Sequence, residues 1–108
     1  MPYDPHLAQR MRTALQSRQG VVEKKMFGGY CWMLNGNMLC GVEVGRFMFR
    51  VGKELEADAL ARPGARPMDI TGRPMRGFVW VSAEVAEGEG LEQWIALAER
   101  YVAALPAK

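Results

Sequence analysis

The dipeptide Asn35-Gly36, set between two apolar runs, constrains this chain more than any other feature. A two-residue type I′ turn needs positive φ at both central positions, and Asn followed by Gly meets that need at little cost. Residues 24–51, KKMFGGYCWMLNGNMLCGVEVGRFMFRV, are therefore expected to form a meander of three strands. In the simplest register Leu34 faces Asn37, Met33 faces Met38, Trp32 faces Leu39 and Cys31 faces Cys40. Gly45-Arg46 suits a second tight turn, with Val44 opposite Phe47 and Val42 opposite Phe49. Alternation with period two then assigns Phe27, Cys31, Met33, Met38, Cys40, Val42, Val44, Phe47, Phe49 and Val51 to a core face. The opposite face carries Met26, Tyr30, Trp32, Leu39, Glu43, Met48 and Arg50, a mixture too apolar for a plain solvated surface.

The flanking sequence supplies helices. Asp4-Pro5 pairs an N-cap carboxylate with a proline at the first helical position, and Leu7, Met11 and Leu15 recur on one stripe before Gly20. Residues 53–61 are strong helix formers with Leu55, Ala59 and Leu60 turned inward, and Pro63-Gly64 ends them. A short strand at 68–71, a turn at Gly72-Arg73 and a strand at 78–81 follow. A last helix over about 91–105 carries the stripe Leu91, Trp94, Ile95, Ala98, Tyr101, Val102 and Leu105. The expected fold is a two-layer α+β domain in the order α-β-β-β-α-β-β-α, with an antiparallel five-stranded sheet and helices packed on it.

Length and charge narrow the function. With 108 residues there is room for one ordinary core, so 1–108 is read as a single domain. A balance of 14 basic against 12 acidic side chains produces no broad field toward nucleic acid or an anionic membrane. No apolar run reaches bilayer length and no signal-peptide core opens the chain, which makes a cytoplasmic location the expectation. Two cysteines and one histidine, His6, make neither a disulfide framework nor a zinc set, so no metal and no cofactor is expected.

The strings KKMFGGYCWMLNGNMLCGV, RVGKE and PGARPMDITGRPMRGFVWV together resemble the N-terminal domain of the TfoX/Sxy family, across essentially the whole chain. The matching residues include Met26, Phe27, Gly28, Gly29, Pro67, Gly72, Arg73 and Pro74. The resemblance implies the same two-layer α+β order and a bacterial regulatory role, in proteins that promote competence gene expression alongside a cyclic-AMP receptor protein. It implies a stand-alone N-terminal domain, without the C-terminal domain those regulators carry, and it brings no catalytic residues.

The residues themselves point to binding rather than catalysis. His6 reads as an exposed residue in a first helical turn, and Glu54 with Asp58 as a solvated helix face. Gly28-Gly29 lies within an expected strand, where a bend or bulge explains it better than a phosphate loop. The candidate interaction face is Met26, Tyr30, Trp32, Leu39, Met48 and Arg50, and the candidate basic loop is Arg66, Arg73 and Arg76 beside Asp69. A non-enzymatic regulatory or protein-interaction domain is expected, engaging a protein partner or its own homodimer, since Trp, Tyr, Met and Arg are enriched at interfaces. The alternatives are a nucleic-acid-binding module stacking bases on the open sheet face and a small-ligand-binding domain. Cys31 and Cys40 are expected to be reduced, buried neighbours beside Met33 and Met38.

Overall fold

In the computed structural model, which describes residues 4–26, 29–70 and 72–108 apart from the side chains of Met26, Ile70 and Pro74, helix α1 (Pro5–Leu15) begins at the Asp4-Pro5 pair. The Asp4 carboxylate accepts the backbone N–H of His6 at 2.9 Å, as an N-cap should. Strands β1 (Val21–Met26), β2 (Gly29–Leu34), β3 (Asn37–Glu43) and β4 (Arg46–Arg50) follow. Then come the short helix α2 (Glu56–Leu60), strands β5 (Ala65–Ile70) and β6 (Arg73–Ser82), and α3 (Glu89–Val102). The strands form one antiparallel sheet in the order β1-β2-β3-β4-β6-β5. No helix among the described residues is long and apolar enough to cross a membrane.

The two-layer α+β architecture is as expected, but the sheet has six strands rather than five. The additional strand is β1, which pairs antiparallel with β2 from Val21↔Leu34 to Met26↔Gly29. Residues 24–34 read as one continuous strand because KKM and YCWML share the same β-compatible composition. They instead divide between two antiparallel strands, β1 and β2. Phe27, assigned to the core, and Gly28, assigned to a bend, lie outside the described residues.

The Asn35-Gly36 turn forms as expected, with φ of 53° and 85° and with Leu34↔Asn37 and Met33↔Met38 paired across it. The register then breaks. Trp32 pairs with Cys40, Cys31 with Gly41 and Tyr30 with Val42, leaving Leu39 as an extra residue on β3. This is a β-bulge, and a one-residue slip moves every later side chain to the other face. Three expectations fall with it. Tyr30, Trp32 and Leu39 lie on the helix-covered side, not on an open face, while Cys31 leaves the core face. Cys31 and Cys40 are not opposite one another. The next turn also differs by one residue, with Glu43↔Arg46 and Val42↔Phe47 paired and Val44 exposed.

All three helices press on one side of the sheet. The buried side chains of α1 (Leu7, Ala8, Met11, Leu15), Ala59 of α2 and those of α3 (Leu91, Trp94, Ile95, Leu97, Ala98, Val102) join Trp32, Leu34, Leu39, Cys40, Val42, Phe47, Phe49, Val79 and Val81 in a single core. At its centre the Phe49 and Trp94 rings stack at 5.6 Å with 19° between planes. Burying aromatic area of this kind dominates the stability of so small a core. Ion pairs bind the layers at the edge. Arg12 of α1 grips both oxygens of Glu23 in β1 at 2.7 and 3.0 Å, and Arg18 reaches Glu92 and Glu99 of α3.

The expected short strand, turn and strand form a hairpin whose strands, β5 and β6, are longer than expected and take in the candidate basic loop. Pro67 is accommodated because β5 is an edge strand, where a missing N–H costs no ladder bond. A second bulge separates Pro67 from Asp69, and Ile70 pairs with Arg73 at the tip. Arg66 belongs to β5 and Arg73 and Arg76 to β6, so the three arginines stand on strands rather than in a loop. Arg76 pairs with Glu56 rather than with Asp69.

Candidate functional site

With the helices on one side, the other side of the sheet carries a second, smaller cluster. Cys31, Met48, Met68 and Trp80 are buried there, and Met38, Met75 and Phe78 pack against them half-exposed. Gly41 makes this possible: a Cβ on it would meet both the Cys31 sulfur and the Met48 methyl at 3.2 Å. Register places Arg46, Met48 and Arg50 of β4 beside Ser82, Trp80 and Phe78 of β6, and Arg66 of β5 beside Trp80. Paired residues share a face, so arginines border a sulfur-rich and aromatic centre. The Arg46 guanidinium lies 3.7 Å from the centroid of the Trp80 ring while its Nε donates to Glu43 at 2.6 Å. Trp80 is only 9% exposed, and its indole N–H has no acceptor among the described residues.

This face runs at one corner into a cleft of about 690 Å³. Its walls come from the end of β4 and the segment after it, from the Arg76–Phe78 part of β6, and from the last turn of α3 with the residues beyond. A backbone crossing forms the floor. Val51 and Gly52 both donate to the Gly77 carbonyl, at 2.8 and 3.0 Å, and a Cβ on Gly77 would meet the Gly52 backbone at 3.2 Å. Both glycines have positive φ, and Gly52 presses on the Tyr101 ring. Arg50 is held over two aromatic rings, 5.4 Å from the Phe78 centroid and 5.6 Å from that of Tyr101. Glu56 accepts from Arg76 Nε at 3.0 Å and from the Gly77 N–H at 2.7 Å. The Arg76 guanidinium, with the Gly77 N–H, holds the Glu56 carboxyl below its usual range.

The expected interaction face is thus only partly assembled. Met48 and Arg50 stand together on the helix-free face; Tyr30 sits half-buried on the helix side, where the Arg12 guanidinium is 5.9 Å from its centroid, and Trp32 and Leu39 are core. Met26 ends β1, paired with Gly29, and its side chain is outside the described ones. Of the basic residues, Arg66 borders the open face, Arg76 lines the cleft and Arg73 stands exposed at the hairpin tip. Trp80, Phe78, Lys53 and Arg100 were not singled out from sequence, and only the twin apolar character of FVWV hinted at the first two.

The cysteines are both free and buried, as expected, but they serve different faces. Cys40 Sγ lies 3.7 Å from Met11 Sδ beneath α1, whereas Cys31 belongs to the open-face cluster. Burial pushes both thiols above the usual range. His6 is exposed, and no three His, Cys, Asp or Glu side chains among the described residues are grouped to hold a metal ion.

The model of the TfoX N-terminal domain family matches residues 13–101, from within α1 to near the end of α3. The chain belongs to the TfoX N-terminal domain family. No curated protein and no solved structure matches it. Within this TfoX N-terminal domain the matched span contains all six strands, the whole helix-free face and most of the cleft lining.

Proposed function

We propose that this TfoX N-terminal domain is a non-enzymatic regulatory domain that acts by binding a partner protein through its helix-free sheet face. The observation that carries the reading is the composition of that face: methionine and aromatic side chains at the centre, bordered by Arg46, Arg50 and Arg66. Methionines adapt to irregular partners, and an apolar centre with a charged rim is how protein interfaces are built. The fitting partner presents an apolar patch with acidic neighbours. An acceptor from it that reaches past Arg46 would also relieve the unpaired indole N–H of Trp80, whose burial costs about 1–3 kcal/mol. Stacking of nucleic-acid bases is disfavoured, because Arg46 already occupies the ring face of Trp80 and Tyr30 and Trp32 are committed to the core. Resemblance to competence regulators makes transcription the process regulated.

The test is photo-crosslinking in living bacteria from single reactive side chains at Met38, Arg66 and, on the outer side of α3, Gln93. Adducts to one protein from Met38 and Arg66, absent at Gln93 and lost from Met38 when Arg66→Glu is added, are expected. Adducts to nucleic acid, or adducts arising equally from Gln93, would overturn the reading.

A further inference from the structure

The geometry points to a separate small-molecule site: the corner cleft binds a phosphomonoester whose organic part is apolar. Four cations line it, namely Arg50, Lys53, Arg76 and Arg100, drawn from three distant parts of the chain. By contrast, Arg12 is paired with Glu23, and Arg18 with Glu92 and Glu99. In the cleft Glu56 forms its ion pair with Arg76, and no carboxylate lies within ion-pair distance of Arg50, Lys53 or Arg100 among the described residues. Counting Glu54 and Glu56 against the four cations leaves a local surplus of two positive charges. A phosphomonoester brings about −1.5 to −2 at neutral pH, so one such group balances the surplus where a single carboxylate does not.

Geometry favours the same ligand. Arg50 lies across the Phe78 and Tyr101 rings, which restricts its rotamers and presents a planar fork suited to phosphate oxygens. The volume, about 690 Å³, falls in the range of small-molecule sites, and Leu55, Phe78 and Leu105 supply apolar wall beside the cations. An inorganic anion would leave that wall wet. The site uses Lys53 and Arg100, which lie off the helix-free face, so it stands or falls independently of the docking reading.

Phenyl phosphate serves as the probe, titrated into the purified chain by calorimetry and by amide NMR, with inorganic phosphate, benzoate, phenol and a hexaglutamate peptide in parallel. Saturable one-to-one binding of phenyl phosphate is expected, with shifts at Gly52, Gly77 and Tyr101. Benzoate and inorganic phosphate should each bind more weakly. Lys53→Gln and Arg100→Gln, both at exposed positions, should each weaken binding about tenfold with the thermal midpoint nearly unchanged, the loss expected for one charge-assisted hydrogen bond. Absence of saturation at millimolar concentration overturns the proposal, as does unchanged affinity in both variants. Phenol binding as tightly as phenyl phosphate does the same. Hexaglutamate shifting these amides while phenyl phosphate does not would reassign the cleft to an acidic protein segment.

Discussion

Replacing Gly52 by alanine tests the packing that shapes the cleft floor. Gly52 has φ of +84°, and a Cβ built there would lie 2.4, 2.7 and 2.8 Å from Cδ1, Cε1 and Cγ of Tyr101. Two costs add. A left-handed backbone costs a residue with a Cβ about 1–2 kcal/mol, and forcing a methyl into filled space typically costs about 1–3 kcal/mol. Tyr101 is half-exposed and can swing outward, which caps the second cost, so a total of about 2–4 kcal/mol is expected. Gly45 isolates the first cost: its φ is +76° and nothing lies within 4 Å of a Cβ placed there, so Gly45→Ala should lose only about 1–2 kcal/mol. Urea unfolding followed by circular dichroism measures both. The pairing with Tyr101→Ala completes the test, because removing the ring should recover part of the Gly52→Ala loss and yield a coupling of about 1 kcal/mol or more. Equal losses for Gly52→Ala and Gly45→Ala, with no coupling to Tyr101, would refute the close packing.

Trp32→Ala should destabilise the chain by about 3–5 kcal/mol in the same assay, since the indole is 2% exposed and fills the helix-covered core; a change within about 0.5 kcal/mol, usual for surface sites, would restore the unbulged register. Iodide should quench native tryptophan fluorescence weakly, because Trp32, Trp80 and Trp94 are all buried. Glu56→Gln should cost stability at neutral pH but not in acid: the folded carboxyl titrates below its ordinary value of 4.5, so its stabilisation is present above that value and vanishes as pH falls through the lower, folded one. A gap between the two proteins that persists in strong acid would show that Glu56 acts through packing alone. Native Cys31 and Cys40 should resist thiol reagents until unfolding, given their burial and suppressed ionisation, and rapid reaction of Cys40 would contradict its place beneath α1.

Local signals in the sequence were sound where one residue type answers one geometric demand. Asn35-Gly36 made its turn, Asp4 capped its helix, and the stripes of α1 and α3 faced the core as their spacing required. The face assignment of the meander was not legible, because residues 30–34 and 38–42 are apolar at nearly every position. Alternation carries information only when the two faces differ, and here the bulge at Leu39 changed parity without any polar residue to reveal it. The β5–β6 hairpin was legible in its turn at Gly72 but not in the length of its strands, because Pro67 read as loop although an edge strand tolerates it. The cleft could not be read at all, since Arg50, Lys53, Arg76 and Arg100 share no spacing and meet only because Gly52 and Gly77 let two backbones cross.

The stacking of Phe49 on Trp94 has a consequence for how the chain is made. Every hairpin closes between segments adjacent in sequence and can form as it leaves the ribosome. The face bearing Trp32, Phe47 and Phe49, however, stays without its main cover until α3 has been synthesised, long after β4 is complete. During that interval translation exposes a sheet whose other face is also rich in methionine, a species prone to aggregate. Codon choice over α3, and access of a chaperone to the first four strands, should therefore govern the yield of this protein more than the stability of its finished fold.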